Sequence, residues 1–311
     1  MNALSRYVQK FSKLRVDRSK GKPAPHKPIL LLSIIEGLTK NEIGENKIYI
    51  TPELVATFKD YWHQLVSDTR FTPNFSLPFY HLKSDGFWHL QTTVGRELLL
   101  TSSHSIKSFS QLKQVVDFAY FNEDLFELLT NAHTRQILKQ TLLDVYFNSA
   151  RLDASHQLIG AIIDQILHEP SVVYKTKAST FDEEEVFVRS GVFKKEIPKI
   201  YNYTCSISGM RIITDRDIQM IDACHIVPFS ESHDDTIKNG ISLCPNLHRA
   251  FDRGLISLDA EYRVLVKPFT EQENFYSIKQ FAGRQILLPT NKNYFPAKEN
   301  LAAHRLRHSF I

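Results

Sequence analysis

Residues 220–256 read MIDACHIVPFSESHDDTIKNGISLCPNLHRAFDRGLI, and this stretch decides the fold of the second half of the chain. An apolar pair leads into Asp222, the segment 230–235 is polar and turn-rich, and Gly240 opens a second short apolar run. Pro245 stands where a helix would begin, a position that tolerates its missing N–H. The order strand, loop, strand, helix predicts a compact ββα unit.

Four polar side chains of this unit have the chemistry needed for phosphodiester hydrolysis. His225 can take a proton from water. His248 and Asp252 lie four positions apart, so one helix face can present both to a divalent ion. Asn239 carries no charge and can hold a loop or orient the base without competing for the ion. Taken singly, each residue has an equally simple reading as a packing or surface side chain. The ordered set predicts a one-metal phosphodiesterase site.

The same residues resemble the HNH endonuclease family, whose hallmark is a ββα-metal finger. The resemblance covers residues 186–266. By the family's pattern, His225 is the general base, Asn239 the structural asparagine and His248 a metal ligand, and these three would form the catalytic set. The i, i+4 partner of that last histidine is a ligand in colicin-type nucleases, which points to Asp252.

The strand before the base departs from the family's pattern. Many members place a metal ligand immediately before the base, where this chain has Cys224, and the nearest carboxylate is Asp222. Three residues before His225 on a regular strand, Asp222 should face the other way. Asp222 therefore needs a bulge in the strand to contact the ion, or it contacts a metal-binding side chain instead of the ion. Cys224 is expected to be a small buried hydrophobe.

The metal expectations follow from the same comparison. The resemblance implies a divalent cofactor, Mg²⁺ or Mn²⁺, with Zn²⁺ or Ni²⁺ as alternatives. Relatives often carry two Cys-x-x-Cys pairs, but one thiol remains in each pair here, so no structural zinc ribbon is expected. The two incomplete pairs are Cys205-x-x-Ser208 and Cys244-x-x-Leu247. Arg249 and Arg253 are either solvated or clamp a phosphate near the metal.

The first half of the chain resembles the sulfur-binding domain of phosphorothioate-dependent restriction endonucleases. The segments that carry the resemblance are 24–32 (APHKPILLL), 77–88 (LPFYHLKSDGFW), 122–125 and 142–147. In that family, the sulfur on the DNA backbone sits in a small apolar pocket formed by a proline and its neighbours, and basic side chains grip nearby phosphates. The resemblance implies four contacts with DNA, namely Pro78 and Leu77 at the sulfur and His26 and Lys27 at the backbone.

Those assignments compete with structural readings. The structural alternatives are a strand-entry proline for Pro78 and a cap or surface residue for His26, and Lys27 is expected to be exposed. Leu77 stands where the family often has an aromatic residue. An apolar pocket would still favour sulfur, because the oxygen form of the backbone loses more hydration there.

Composition limits the class of protein. The chain has 311 residues, which predicts two domains, and its net charge is only +4. Residues 1–28 hold eight Lys and Arg against one acid, either a phosphate-binding face or a solvated tail. Three scattered cysteines indicate a reducing compartment, and no apolar run reaches 18 residues. We therefore expect a cytoplasmic protein with no membrane partner.

The predicted fold class is α+β. A mixed helical domain with a small sheet comes first, and a ββα-metal domain follows. The predicted boundaries are 1–168 for recognition, 169–185 for a charged linker and 186–311 for the nuclease. Within the first domain, a helix over 28–38 forms the central core, 73–78 is a loop, and 79–82 with 87–91 is a hairpin.

Together these features predict a modification-dependent DNA endonuclease that acts on double-stranded DNA in restriction or defence. Cutting both strands would make it a homodimer. One alternative reads a modified cytosine, or an unmodified sequence, and would stack a flipped base on aromatic side chains. The candidates for that stacking are Phe71, Phe75, Phe79, Tyr80 and Trp88. An alternative of a different class is a catalytically silent DNA-binding regulator, which metal-dependent cleavage would exclude.

Overall fold

The computed structural model describes residues 2–95, 106, 108–150, 152, 157–178, 180–214, 219–269 and 277–310. The chain forms two compact units. The first contains Met1–Ile159 and Glu183–Val188, and the second contains Gly160–Asp182 and Arg189–Ile311. In the described residues, helices combine with three two-stranded antiparallel sheets, so the fold class is α+β, as predicted. No helix among them is long and apolar enough to cross a membrane.

The first unit is built around one buried helix. Its helices are α1 (Ala3–Ser12), α2 (His26–Thr39), α3 (Pro52–Leu65), α4 (Ser76–His81), α5 (Phe109–Val115), α6 (Glu123–Thr130) and α7 (Ala132–Phe147). Its strands are β1 (Trp88–Thr92) and β2 (Val116–Phe121). The apolar run of α2, which includes Ile29, Leu30 and Ile34, is buried on every side. The prediction of a central core helix is therefore confirmed.

The predicted hairpin of the first unit is wrong. Residues 76–81 form α4, and β1 pairs instead with β2. Asn74 Oδ1 accepts the N–H of Leu77 at 2.9 Å and so caps the first turn of α4. Phe75 and Phe79, four positions apart, share the buried face of this turn. Local capping therefore outweighs the strand-like alternation of these residues.

The second unit contains the predicted ββα arrangement, which is confirmed. Its helices are α9 (Ser171–Ala178), α11 (Phe229–Ser232), α12 (Pro245–Asp252) and α13 (Lys298–Arg307). Its strands are β3 (Asp222–His225), β4 (Gly240–Leu243), β5 (Ile256–Leu258) and β6 (Val264–Val266). β3 pairs with β4 in antiparallel register. A Cβ on Gly240 would lie 2.3 Å from Ile197 Cδ1, so the absence of a side chain at Gly240 lets β4 lie this close to Ile197.

The segment predicted as a linker, 169–185, is largely helical. It holds α9 and the beginning of α10 (Glu183–Ile200). Tyr174 of α9 is fully buried, which anchors a stretch whose charged composition suggested solvent exposure. Both α8 (Gln157–His168) and α10 contribute residues to both units. The functional boundaries at 168 and 186 stay predictions.

Candidate functional site

His225, at the end of β3, is held on one ring nitrogen and one ring face. Its Nε2 lies 2.8 Å from Asp235 Oδ1. Its ring stacks on Phe193 with centroids 3.9 Å apart and an interplanar angle of 5°. The loop after β3 carries Asp235, whereas α10 carries Phe193. The imidazole is therefore oriented before any substrate arrives.

Asn239 is buried and fastens the loop that follows β3. Its Oδ1 accepts the N–H of Val227 at 2.9 Å. Its Nδ2 donates to the carbonyl of Val227 at 2.8 Å and to that of Asp234 at 2.9 Å. The amide thus joins both ends of the loop through the backbone. This geometry fits the loop-holding alternative, in which Asn239 acts on the base only through the loop.

His248, on α12, lies between two carboxylates. Its Nδ1 is 3.2 Å from Asp222 Oδ2, and its Nε2 is 3.4 Å from Asp252 Oδ2. β3 pairs with β4 without a register shift, so Asp222 reaches His248 with no bulge. A carboxylate on the second ring nitrogen fixes the orientation of a metal-binding histidine. Asp222 therefore fits a role behind the ligand, and its predicted direct contact with the ion stays a prediction.

Cys224 joins His248 and Asp252 in a cluster that can hold a metal ion. One donor atom from each of the three residues lies within 4.8 Å of the other two. Burial and the nearby Asp252 carboxylate raise the pKa of the Cys224 thiol. A thiol, an imidazole and a carboxylate are donors that suit a divalent transition metal. The residues present therefore fit a divalent ion, and Cys224, expected only as a buried packing residue, supplies one of the three donor atoms.

The cavity beside these side chains has a volume of about 310 Å³. Its lining residues are Lys194, Ala223, His225, Ile226, Pro228, Phe229, His248, Asp252, His304 and His308. The sequence does not single out Lys194 or the two C-terminal histidines, since the one signal for these histidines is the four-residue spacing of His304 and His308. Gly254 has a φ of 62°, and a Cβ there would lie 2.2 Å from His308 Nδ1. A glycine at that position is what leaves room for the ring.

Two predicted features lie outside this cavity lining. Arg249 and Arg253 are both exposed and line no wall of it, so their contact with DNA stays a prediction. Cys205 and Cys244 meet at Ser208, whose N–H donates to Cys205 Sγ at 3.4 Å and whose Oγ lies 4.0 Å from Cys244 Sγ. The four positions of the two incomplete pairs therefore hold two thiols, one hydroxyl and one apolar side chain, instead of the four thiols of a zinc ribbon.

A second cavity, in the first unit, brings together all four residues predicted to contact DNA there. Its volume is about 450 Å³, and its wall includes Leu77, Pro78, His26 and Lys27. Leu77 is 41% exposed, whereas Pro78 is buried. His26 Nε2 lies 3.0 Å from the carbonyl oxygen of Thr72, and burial lowers the pKa of the ring. The cavity therefore has an apolar wall and a largely neutral histidine.

The expectation that Lys27 is exposed is wrong. It is only 7% exposed. Its Nζ donates to the Arg15 carbonyl at 2.6 Å, to Ser84 Oγ at 2.9 Å and to Asp85 Oδ2 at 2.7 Å. Three protein acceptors thus satisfy the three donors of the ammonium. Lys27 joins α2 to the turn after α4, and its predicted contact with the DNA backbone stays a prediction.

Other basic side chains lie along a groove beside the cavity. Arg15 and Ser84 line both the cavity and the groove, whose volume is about 500 Å³. The groove is also lined by Arg6, Lys10 and Lys13. Part of the basic N-terminal stretch is therefore arranged against the folded unit at the cavity, rather than as a solvated tail. Such an arrangement suits a polyanion.

The aromatic residues considered for stacking a flipped base are in the core. Phe75, Phe79 and Trp88 are fully buried, Tyr80 is 5% exposed and Phe71 is 8% exposed. Phe75 and Phe79 pack on each other, and Trp88 Nε1 donates to the Phe79 carbonyl at 2.9 Å. A ring that fills the core cannot also stack on a base, which argues against Phe75, Phe79, Tyr80 and Trp88. Phe71 also lines the cavity of the first unit, so the modified-base alternative keeps one of its five candidate rings.

Two protein families match the chain. The family described as ScoMcrA-like DNA sulfur-binding domain matches residues 4–160, half of the chain, and the HNH endonuclease family matches residues 205–259. No curated protein matches it. A modification-dependent TagI restriction endonuclease is 19% identical, with a TM-score of 0.30, over 37% of this chain and 36% of that chain. The chain thus spans about a third of that protein. The type IV phosphorothioation-dependent restriction endonuclease ScoMcrA is 9% identical, with a TM-score of 0.27, over 78% of this chain and 93% of that chain.

Proposed function

The chain belongs to the family with a ScoMcrA-like DNA sulfur-binding domain and carries an HNH endonuclease domain, and on that premise we propose that it is a modification-dependent DNA endonuclease. It recognises phosphorothioate-modified DNA and cleaves phosphodiester bonds nearby, in restriction or defence. The observation that carries this proposal is the cavity of the first unit, where Leu77 and Pro78 form an apolar wall beside a basic groove.

Recognition would separate two physical tasks. Sulfur in place of a non-bridging oxygen is larger and less strongly hydrated, so burying it against Pro78 and Leu77 costs less than burying oxygen. Arg15 and the basic groove supply affinity for the phosphates on either side. That part of the affinity falls with salt for any duplex, because counterion release is independent of the mark.

Cleavage would use the side chains of the second unit. His225 accepts a proton from the attacking water, and Asn239 keeps the adjoining loop in place. His248, Asp252 and Cys224 would hold the divalent ion, with Asp222 behind His248. When bound, the ion supplies positive charge that polarises the phosphate and stabilises the leaving oxygen. His308 and Lys194 line the same cavity, and Lys194 would add positive charge beside the phosphate.

The test compares binding of the full chain, in EDTA, to three pools of duplexes that share their sequences. One pool carries phosphorothioate linkages in both configurations at phosphorus, one carries methylated and hydroxymethylated cytosine, and one is unmodified. Fluorescence anisotropy should show the tightest binding to the phosphorothioate pool. Tightest binding to the modified-cytosine pool, or equal binding to all three, contradicts the proposal.

A further inference from the structure

We propose that Asp235 is a positioning residue for His225, and that it fixes Nδ1 of the ring as the atom that accepts the proton from water. The inference rests on the proposed cleavage function and deepens it. Asp235 Oδ1 lies 2.8 Å from His225 Nε2. A carboxylate accepts hydrogen bonds, so the proton of the neutral ring belongs on Nε2 and the lone pair on Nδ1.

Burial of Asp235 supports this assignment. Its side chain is only 1% exposed. Among the described residues, its second oxygen, Oδ2, has no hydrogen-bond partner. Burying a carboxylate is costly unless a donor offsets the loss of water. The N–H at Nε2 of His225 is the donor that the geometry provides. The buried Asp235 carboxylate is therefore stabilised only by the tautomer of His225 that carries its proton on Nε2.

The ring has little freedom to turn away from this contact. Phe193 covers one face of His225 at 3.9 Å between centroids, nearly parallel. The backbone on both sides of Asp235 is also held. Asp234 Oδ1 accepts the N–H of Thr236 at 2.9 Å and its hydroxyl at 2.7 Å, while Asn239 donates to the Asp234 carbonyl. Asn239 therefore supports the base indirectly, by holding the loop that holds Asp235.

The chemical step then has a defined order of bonds. Nδ1 takes a proton from water, and the resulting imidazolium keeps its Nε2–H on the Asp235 carboxylate. The water oxygen bonds to phosphorus, and the scissile P–O bond breaks with its electron pair on the leaving oxygen. Because the carboxylate is already in place, no reorganisation is needed when the positive charge develops.

The first test reads the tautomer without metal or DNA. The full chain is labelled with ¹⁵N-histidine, and the ring signals of His225 are assigned by their loss in His225→Asn. Long-range ¹H–¹⁵N correlation at a pH where the ring is neutral should show the proton on Nε2. In Asp235→Ala, the Nδ1–H form should appear. An unchanged tautomer in that variant overturns the proposal.

The second test is single-turnover cleavage of phosphorothioate duplex. Asp235→Ala should lower the maximal rate about 10- to 100-fold and leave the half-saturating DNA concentration unchanged. Asp235→Asn, which keeps an oxygen acceptor, should recover part of the rate. Asp235→Leu replaces Asp235→Ala in both tests if the latter unfolds. Ser242→Ala, a buried polar residue of β4, is the matched control and should cleave normally.

The two tests separate the proposals. An Asp235→Ala or Asp235→Leu variant that is folded and cleaves at the wild-type rate overturns the positioning role. A wild-type chain that cuts no DNA with any divalent metal overturns the proposed function instead. The tautomer measurement still decides the role of Asp235 in that case.

Discussion

Lys27 and Arg15 show how burial separates two roles for neighbouring basic residues. Lys27 is buried and forms an ion pair with Asp85, whose side chain is also buried. Removing one partner of such a pair leaves an uncompensated charge in the protein interior. Arg15 is exposed on the wall shared by the cavity and the groove, and offers its guanidinium to solvent.

Lys27→Met should therefore destabilise the first unit, by about 3–5 kcal/mol, because Asp85 is left without its partner. Arg15→Ala should leave stability unchanged and weaken binding to modified and unmodified duplex by the same factor. Trp fluorescence during urea unfolding and anisotropy with both duplexes measure these effects. Lys47→Ala, outside the cavity lining, is the control. A stable Lys27→Met variant that has lost only DNA affinity would restore Lys27 as a phosphate ligand.

At the scale of single residues, the sequence predicted those site residues that belong to one local motif. The order and spacing of His225, Asn239, His248 and Asp252 were enough to predict a site, and the structure brings them into one neighbourhood. Asp235 could not be selected, because a second aspartate in a polar loop has no distinguishing spacing. Burial is a property of the folded chain, so the status of Lys27 could not be predicted either.

Helix α13 shows how an element outside the ββα unit supports it. His304 is buried and stacks on Phe251 at 3.7 Å between centroids. Its Nδ1 lies 2.8 Å from Ser257 Oγ and its Nε2 3.2 Å from the Phe251 carbonyl. Asn300 donates to the Lys238 carbonyl at 3.2 Å. The helix therefore packs against both α12 and β5.

This packing makes the second unit sensitive to acid. Burial and the charge of His308 lower the pKa of His304 to about 4, against an ordinary value of 6.5. The unfolded chain takes up a proton between these values and the folded chain does not. The contribution of His304 to the free energy of unfolding is therefore fully present above pH 6.5. This contribution falls by about 3 kcal/mol as the pH drops from 6.5 to 4.

The readout must come from the second unit, because both tryptophans, Trp62 and Trp88, lie in the first. Hydrogen exchange of peptides from β3 to β5 should show faster global opening at pH 4.5 than the intrinsic pH dependence of exchange explains. His304→Gln should flatten this dependence. The exposed His133→Asn is the control and should retain it. An equal pH dependence in His304→Gln would show that another group is responsible.

Among the elements, periodicity predicted helices better than strands. The run of apolar residues in α2 could only be a core helix, and the turn-rich loop between β3 and β4 was plain. The pairing of β1 with β2 joins residues about 30 positions apart, and local sequence carries little information on such a partner. The local pattern therefore assigns the partner strand to the nearest apolar run, which forms α4 instead.

The two units carry different candidate sites. The cavity and groove belong to the first unit, and His225 and the cluster of Cys224, His248 and Asp252 belong to the second. Separation of the two tasks means that a variant of one site should leave the other intact. Homodimer formation for cutting both strands stays a prediction, as does the identity of the metal.

The most direct test of the central claim is single-turnover cleavage, with Mg²⁺ or Mn²⁺, of duplexes that differ only in one sulfur atom. The wild type should cut the phosphorothioate duplex and spare the unmodified one. Pro78→Ser should lower this selectivity, while Pro73→Ser, outside the cavity lining, should retain it. His225→Ala should cut ~10²–10⁴ times more slowly with binding unchanged, and EDTA should stop the wild type. Equal cleavage of both duplexes by the wild type would contradict the account.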